Sequence, residues 1–378
     1  MNSTWSMLEE AKPFLKEAWD KASYTTPTAI QEKAVPAILD GRDVIAESPT
    51  GTGKTLAYLL PVLQRINPES KNIQTLIMAS SRELVMQIHE EIQKWSAGSG
   101  ILGASFIGGA NVKRQLEKLK KRPQIIVGTP GRVYELINQK KIKMHEVKTI
   151  VLDEGDQLLQ PEHLSNIKNI IKTTLKDRQL LLFSATLPEK TEAEAKKLMQ
   201  NPELIKISRG EAVQSDVEHI YFPSEQRDKI DLLQKLSRVE GTKAIAFVKD
   251  IGNAAVLAEK LMYKGIELGI LHGDSSKRER ELAMKSFRTG EISMLLATDV
   301  AARGLDIEGV THVIHYDLPE TSEQYVHRSG RTGRNGASGT VVSLVTEREE
   351  RELKQLCRNL KIELHKKRFY HGAVVDSK

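Results

Sequence analysis

The feature that most constrains this chain is a repeating beat, in which short apolar runs alternate with longer amphipathic stretches. Val44-Ile45-Ala46, Thr75 to Ala79, Ser105 to Ile107, Ile125 to Val127, Thr149 to Leu152 and Leu180 to Phe183 have strand length and composition. Each is followed by about 10–15 residues of helical spacing, the pattern of βαβ units. A crossover helix returns the chain to the end where the strand began, so the next strand lies parallel to it. The beat falters between Ile205 and Asp216, then resumes with Ala244 to Val248, Ile266 to Leu271, Met294 to Ala297, Thr311 to Ile314 and Thr340 to Val345. Two successive α/β domains are expected, residues 1–208 and 217–350, each a mostly parallel sheet flanked by helices. A linker at 209–216 joins them, and a short basic tail at 351–378 follows. The last helix is expected from about Glu347, with Lys366-Lys367-Arg368 making its end basic. A solvated face is the plainer account of those charges, and RNA contact the sharper one.

Composition narrows the partner. The chain carries a net charge of +6 with a pI near 9.1, which suits a polyanion. Aromatic residues make up only 5%, so contacts to a nucleic-acid backbone should outweigh base stacking. A single cysteine, Cys357, excludes an internal disulfide and a multi-cysteine zinc cage, and fits a reducing cytosol. No apolar run reaches about 18 residues and the N-terminus lacks a basic-then-apolar pattern, so neither a membrane span nor a secretory signal is expected.

In open α/β sheets ligands bind beyond the carboxyl ends of the strands. The chemically distinctive residues here follow those ends: Ser48 to Thr55, Ser81-Arg82, Gly108-Gly109, Thr129 to Arg132, Asp153-Glu154, Ser184 to Thr186, His272 to Asp274 and Thr298-Asp299. Polar chemistry is thus gathered on one edge of each sheet.

Three segments carry a readable mechanism. Ser48-Pro49-Thr50-Gly51-Thr52-Gly53-Lys54-Thr55 sits between a strand and a helix, the context of a phosphate loop. Its glycines let backbone N–H groups surround phosphate oxygens, with Lys54 for the β- and γ-phosphates and Thr55 for Mg²⁺. The strict pattern wants Gly where Ser48 stands. Downstream, Asp153-Glu154-Gly155-Asp156 ends a strand. Asp153 can hold Mg²⁺ opposite Thr55, and Glu154 can orient and deprotonate a water; acids favoured by a helix N-terminus are the structural alternative. Last, His327-Arg328-Ser329-Gly330-Arg331-Thr332-Gly333-Arg334 is dense in arginine. Arg331 and Arg334 suit a transferring phosphoryl group, and a basic loop on RNA phosphates is the alternative.

Taken together and in this order, these motifs resemble those of the DEAD-box ATP-dependent RNA helicases, most of all their short bacterial members, over about residues 5 to 345. The resemblance implies two tandem RecA-like domains, ATP and Mg²⁺ as cofactors, and RNA as partner, single-stranded or a short duplex, gripped through its backbone. It implies an adenine-reading segment within residues 3–31, where Gln31 contacts the base edge, Tyr24 stands where Phe is usual, and Trp5 is the isolated upstream aromatic. Ser81, Arg82, Gly108, Gly109, Thr129, Pro130 and Arg132 match first-domain RNA positions. Arg280, beside His272-Gly273-Asp274, and Thr298 match second-domain ones. Gly304 and Asp306 fall at the ATP ribose, although Asp299 and Asp306 could simply cap helices. Asp156, Ser184, Thr186 and His327 match positions coupling nucleotide state to RNA grip. Ribosomal precursor particles and a monomeric state follow as family-type expectations.

Four departures stand out. Gly155 replaces the Ala of the family's namesake motif, and a near-neutral effect is expected. Ser80-Ser81 replaces Pro-Thr, and losing Pro should loosen the loop. Ser48 replaces Ala or Gly, and Lys277 replaces Gln. An ATP-gated RNA clamp and a DNA translocase on the same scaffold are the rival readings.

Overall fold

The computed structural model describes residues 5–22, 24, 26–208, 211, 216–302, 307, 309–333 and 337–377, apart from the side chains of Ser6, Lys277 and Val300. Gly304, Asp306 and Arg334 lie outside the described residues, as does the expected linker apart from Glu211 and Asp216. The chain divides into two compact units, Met1–Val213 and Gln214–Lys378.

The first unit is built on a seven-stranded sheet. Its strands are β1 (Val44–Glu47), β2 (Thr75–Met78), β3 (Gly103–Phe106), β4 (Ile125–Gly128), β5 (Thr149–Asp153), β6 (Gln179–Ser184) and β7 (Glu203–Lys206). They lie in the order β3-β4-β2-β5-β6-β1-β7, every pair parallel. Strands β2, β4, β5 and β6 are buried along their whole length, which is why they read as unbroken apolar runs rather than alternating ones. Separate apolar clusters cover the two faces, one including Val44, Ile77, Val127 and Phe183, the other Ile45, Met78, Ile126 and Leu182. Neighbouring residues along a strand therefore serve opposite faces.

The second unit carries an eight-stranded sheet. It comprises β8 (Val217–Pro223), β9 (Ala244–Phe247), β10 (Leu268–Leu271), β11 (Met294–Ala297), β12 (His312–His315), β13 (Gly339–Val345), β14 (His365–Tyr370) and β15 (Ala373–Asp376). The order is β10-β11-β9-β12-β13-β8-β14-β15, with only the β14–β15 pair antiparallel. Both sheets are thus of the doubly covered parallel kind that the alternation predicts, and both units are RecA-like. In each, the carboxyl ends of the parallel strands meet at one edge, so the loops after them converge without further contrivance.

The structure differs from the sequence reading at the C-terminus. The helix that begins at Glu347 ends at Asn359, and Lys366-Lys367-Arg368 lie in β14, not on a helix. The residues after Asn359 include a hairpin added to the sheet edge. Alternating exposure along β14 gives it the two-residue period of a strand, which a charge count hides. Strands β7 and β8 also escape the apolar-run pattern, because each is exposed at one or more of its positions.

Candidate functional site

Residues 48–55 leave the buried strand β1 and enter the helix Lys54–Arg65. Gly51 and Gly53 take φ of 77° and 86°, a left-handed backbone that a side chain would strain. The loop is braced from within. Ser48 and Thr52 share a 2.6 Å hydroxyl hydrogen bond, and Thr52 donates to the Pro49 carbonyl at 2.8 Å. Lys54 Nζ reaches back over the loop to the carbonyls of Ser48 and Pro49, at 2.6 and 2.8 Å. Its ammonium therefore stands inside the curve of the loop, where a phosphate would meet it.

The adenine-type segment is fastened to the same loop. Gln31 is buried, its Oε1 accepting from Thr28 N at 3.0 Å and its Nε2 donating to Gly53 O at 3.2 Å. A Cβ at Gly53 would come within 2.5 Å of that Nε2. Gln31 thus ties Thr28 to the loop at 48–55 through its own amide. Tyr24 is 47% exposed and stacks on buried Trp95 with ring planes 6° apart, while Trp19 links Trp5, Tyr24 and Trp95 into one aromatic cluster.

Asp153 closes β5 in a buried position. It accepts from the Tyr58 hydroxyl at 2.8 Å and from Glu154 N at 2.9 Å. Burial pushes its pKa up from 3.8 to about 6, against the lowering effect of the Tyr58 hydrogen bond. Burial also drives Tyr58 well above its ordinary value, so this hydroxyl is a neutral donor, with the Thr55 hydroxyl acting to lower it. Both residues assigned to Mg²⁺, Thr55 and Asp153, thus act on Tyr58. No motif announced that tyrosine, because within Leu56-Ala57-Tyr58-Leu59-Leu60 it looks like core. The available signal was its position four residues after Lys54, on the same face of the helix.

Glu154 adopts φ 56°, ψ 54°, a left-handed conformation uncommon outside glycine. Its Oε2 accepts from the Ser80 hydroxyl. Where a proline ring would supply no donor, the serine that replaces it supplies one to Glu154. The near-neutral expectation for Gly155 is corrected. A Cβ there would meet Leu182 Cγ at 2.5 Å and Cδ2 at 2.6 Å, and Leu182 is fully buried. Next to it, Asp156 receives the Ser184 hydroxyl on one oxygen at 2.7 Å and the Thr186 hydroxyl on the other at 3.0 Å. The fold brings these three coupling candidates of the first unit into direct contact.

The RNA-type positions share this edge. Ser81 caps the helix Arg82–Trp95, accepting from Leu84 N at 3.1 Å. Gly109, at φ 73°, lies beneath the Arg82 guanidinium, and a Cβ there would approach Arg82 Nη2 to 2.7 Å. Gly108 has open space at the Cβ position. Thr129 and Pro130 start the helix Pro130–Asn138, which carries Arg132. Arg132 is only 9% exposed, yet its Nε and Nη1 make no hydrogen bond, the Glu135 carboxylate lying 3.3 Å from Nε. Glu135 balances its charge, but two buried guanidinium nitrogens without a hydrogen bond are costly, and a further acceptor would relieve them.

In the second unit Thr298 is buried at the end of β11, its N–H bonded to Leu271 O at 3.1 Å. Arg280 donates to His272 O at 3.3 Å. Arg331 is buried and its Nε donates to His327 O at 3.1 Å. The neighbouring Arg328 is a brace: Nε and Nη2 grip Asp299 at 2.6 Å each, and Nη1 donates to Asp317 O at 2.7 Å. Asp299 therefore anchors an arginine. Sequence alone left this pair unassigned, since bidentate geometry depends on a contact between residues far apart in the chain.

A family model for DEAD/DEAH box helicases matches residues 28–195, and one for the helicase conserved C-terminal domain matches 228–336. The chain is 57% identical over all 378 residues to the probable ATP-dependent RNA helicase YfmL of Bacillus subtilis (strain 168), covering 100% of both chains. It is 52% identical over 372 residues to the DEAD-box ATP-dependent RNA helicase CshC of Bacillus cereus, covering 98% of this chain and 95% of that one. Among solved structures, Saccharomyces cerevisiae Dbp5 bound to RNA and ADP BeF3 matches with a TM-score of 0.88 at 33% identity, over 96% of this chain and 95% of that one.

Proposed function

This chain belongs to the DEAD-box family of ATP-dependent RNA helicases, and from that premise we propose how its own residues divide the work. ATP occupies the loop at 48–55, with Lys54 on its β- and γ-phosphates, Gln31 and Tyr24 at the base, and Gly304 and Asp306 towards the ribose. Thr55 and Asp153 would hold Mg²⁺, their hydroxyl and carboxylate being the hard oxygen donors that ion takes. Its chemistry there would be to offset negative charge on the phosphates. Glu154 orients the attacking water and takes its proton. Arg331 and Arg334 stabilise the transferring phosphoryl group from the second domain. RNA lies against Ser81, Arg82, Gly108, Gly109, Thr129, Pro130 and Arg132 of the first domain and Arg280 and Thr298 of the second, held by backbone contacts. Hydrolysis, stimulated by that RNA, drives local opening of duplexes or remodelling of RNA–protein complexes.

One observation carries the coupling. Ser80, adjoining the RNA-type pair Ser81-Arg82, donates its hydroxyl to Glu154, the proposed base. A shift of the 80–82 segment on RNA would move the hydroxyl that positions the carboxylate. Asp156, Ser184, Thr186 and His327 relay the same state through their mutual or local contacts.

An ATPase titration with RNA and matched DNA, run beside a labelled-duplex displacement assay, tests the function. Stimulation by RNA together with strand displacement is expected. Retention of RNA with ATP but no displacement would favour the clamp, and equal stimulation by DNA the translocase. A basic chain also suits RNA-rich particles, so ribosome assembly is the proposed setting, served by a monomer in the cytoplasm; cofractionation with ribosomal precursors tests it.

A further inference from the structure

The hairpin β14–β15 stands apart from all the motifs above. Strand β14 pairs with β8 only through His365 and Lys366, and residues Lys367 to Tyr370 pair with β15. Because β14 runs parallel to β8, its far end points to the carboxyl edge of this sheet, the edge that carries Thr298 and Arg280.

Its two faces differ sharply in chemistry. On the inner one, Phe369 stacks on Phe222 with centroids 5.2 Å apart, and Lys367 is paired to both Glu218 and Asp376 at 2.9 Å. These pairs hold the two carboxylates on the inner side. The outer face presents Lys366, Arg368 and Tyr370, all exposed. Arg368 lies over the Tyr370 ring at 5.8 Å, the His371 ring packs edge-on to it at 4.3 Å, and Tyr370 remains 57% exposed. Neither Lys366 nor Arg368 forms an ion pair with a carboxylate among the described residues; Glu350 lies within electrostatic reach of Lys366 but is itself paired to Lys354 and accepts from the Tyr221 hydroxyl. Two cations on alternate residues match successive phosphates, and an exposed ring braced by a guanidinium offers a base a stacking surface.

We propose that this outer face is an auxiliary site for single-stranded RNA, contacting nucleotides that continue beyond the segment held by the helicase motifs. Lys366 and Arg368 take phosphates, and Tyr370 takes one base. The proposal rests on the RNA-binding reading above, and adds a length dependence that the motifs alone do not require.

The test is fluorescence anisotropy of the full chain, with a non-hydrolysable ATP analogue, on oligouridylates of 6 and 20 nucleotides. The variant Lys366→Glu/Arg368→Glu/Tyr370→Ala is compared with wild type, with Lys366→Gln/Arg368→Gln as a milder second variant. Wild type should bind the longer oligomer more tightly, and the triple variant should lose most of that advantage, roughly tenfold, while binding the 6-mer unchanged. The slope of log affinity against log salt on the 20-mer should fall by about 1–1.5, at about 0.7 per phosphate contact. ATPase stimulated by the 6-mer serves as the folding control. Equal binding of the 20-mer by wild type and both variants would overturn the proposal. So would unchanged RNA binding with loss of retention on polyglutamate, which would assign the face to an acidic protein. Failure of wild type to bind either RNA would instead overturn the underlying functional reading.

Discussion

Gly155→Ala restores the residue that gives the family motif its name, and it should harm this protein. An added Cβ would sit 2.5 Å from Leu182 Cγ, 2.6 Å from Cδ2 and 2.9 Å from Cδ1, all on a fully buried side chain. Leu182 is packed in the cluster that includes Leu152 and Leu158, so it cannot swing away without disturbing them. Overpacking of this kind costs about 1–3 kcal/mol, and replacing Gly by Ala in a helix returns about 0.5–1 kcal/mol. Taking the middle of each range, a net loss of about 1 kcal/mol remains, which lowers the melting temperature by roughly 2–4 °C for a domain of this size. Turnover should fall too, because Glu154 and Asp156 flank the displaced residue. Calorimetry on Gly155→Ala, Leu182→Ala and the double variant provides the assay. The cycle should show favourable coupling within about 0.5–3 kcal/mol, since Leu182→Ala vacates the volume the new methyl needs. A melting temperature equal to or above wild type for Gly155→Ala would refute the packing argument.

Three further outcomes follow from the same edge of the sheet. Glu154→Gln should retain ATP and RNA binding while losing about 10²–10⁴-fold in turnover, measured as steady-state ATPase; near-normal turnover would remove Glu154 as base. Ser80→Ala deletes the hydroxyl that holds Glu154 and should lower kcat severalfold with little change in the KM for ATP, whereas equal changes in both would point to a damaged binding site. Asp153 carries a folded pKa near 6 against 3.8 when unfolded, so between those values the folded protein binds the extra proton. Its contribution to stability in the metal-free protein should therefore fall as pH rises from about 4 to about 6 and level off above, by on the order of 2–3 kcal/mol. Denaturant melts of wild type and Asp153→Asn across that range should diverge accordingly, and parallel curves would contradict the assignment.

Much of this architecture could be read from the sequence because its strands are buried on both faces. Runs such as Leu76-Ile77 and Leu180 to Phe183 need no alternation to be seen, and glycines at 51 and 53 betray a loop that must bend around something. Legibility failed where information lay in pairs distant along the chain. The strand β14 looked like the basic end of a helix, since its pairing to β8 and the burial of Phe369 on Phe222 depend on a contact across about 150 residues of chain. Gly155 looked interchangeable with Ala because its neighbour Leu182 belongs to another strand. Ser80 looked like a lost proline until Glu154 was found beside it. Local propensity describes what a residue permits, while these outcomes turned on which partner arrived.

The central claim, that hydrolysis needs groups from both domains acting on one nucleotide, is tested most directly by single-turnover ATP hydrolysis of Arg331→Ala under saturating RNA. Nucleotide and RNA affinities should stay near wild type while the hydrolysis rate falls by about 10³–10⁵-fold. An unchanged hydrolysis rate accompanied by weaker RNA binding would contradict it, leaving Arg331 as part of a basic loop on the RNA and the first domain as a complete ATPase by itself.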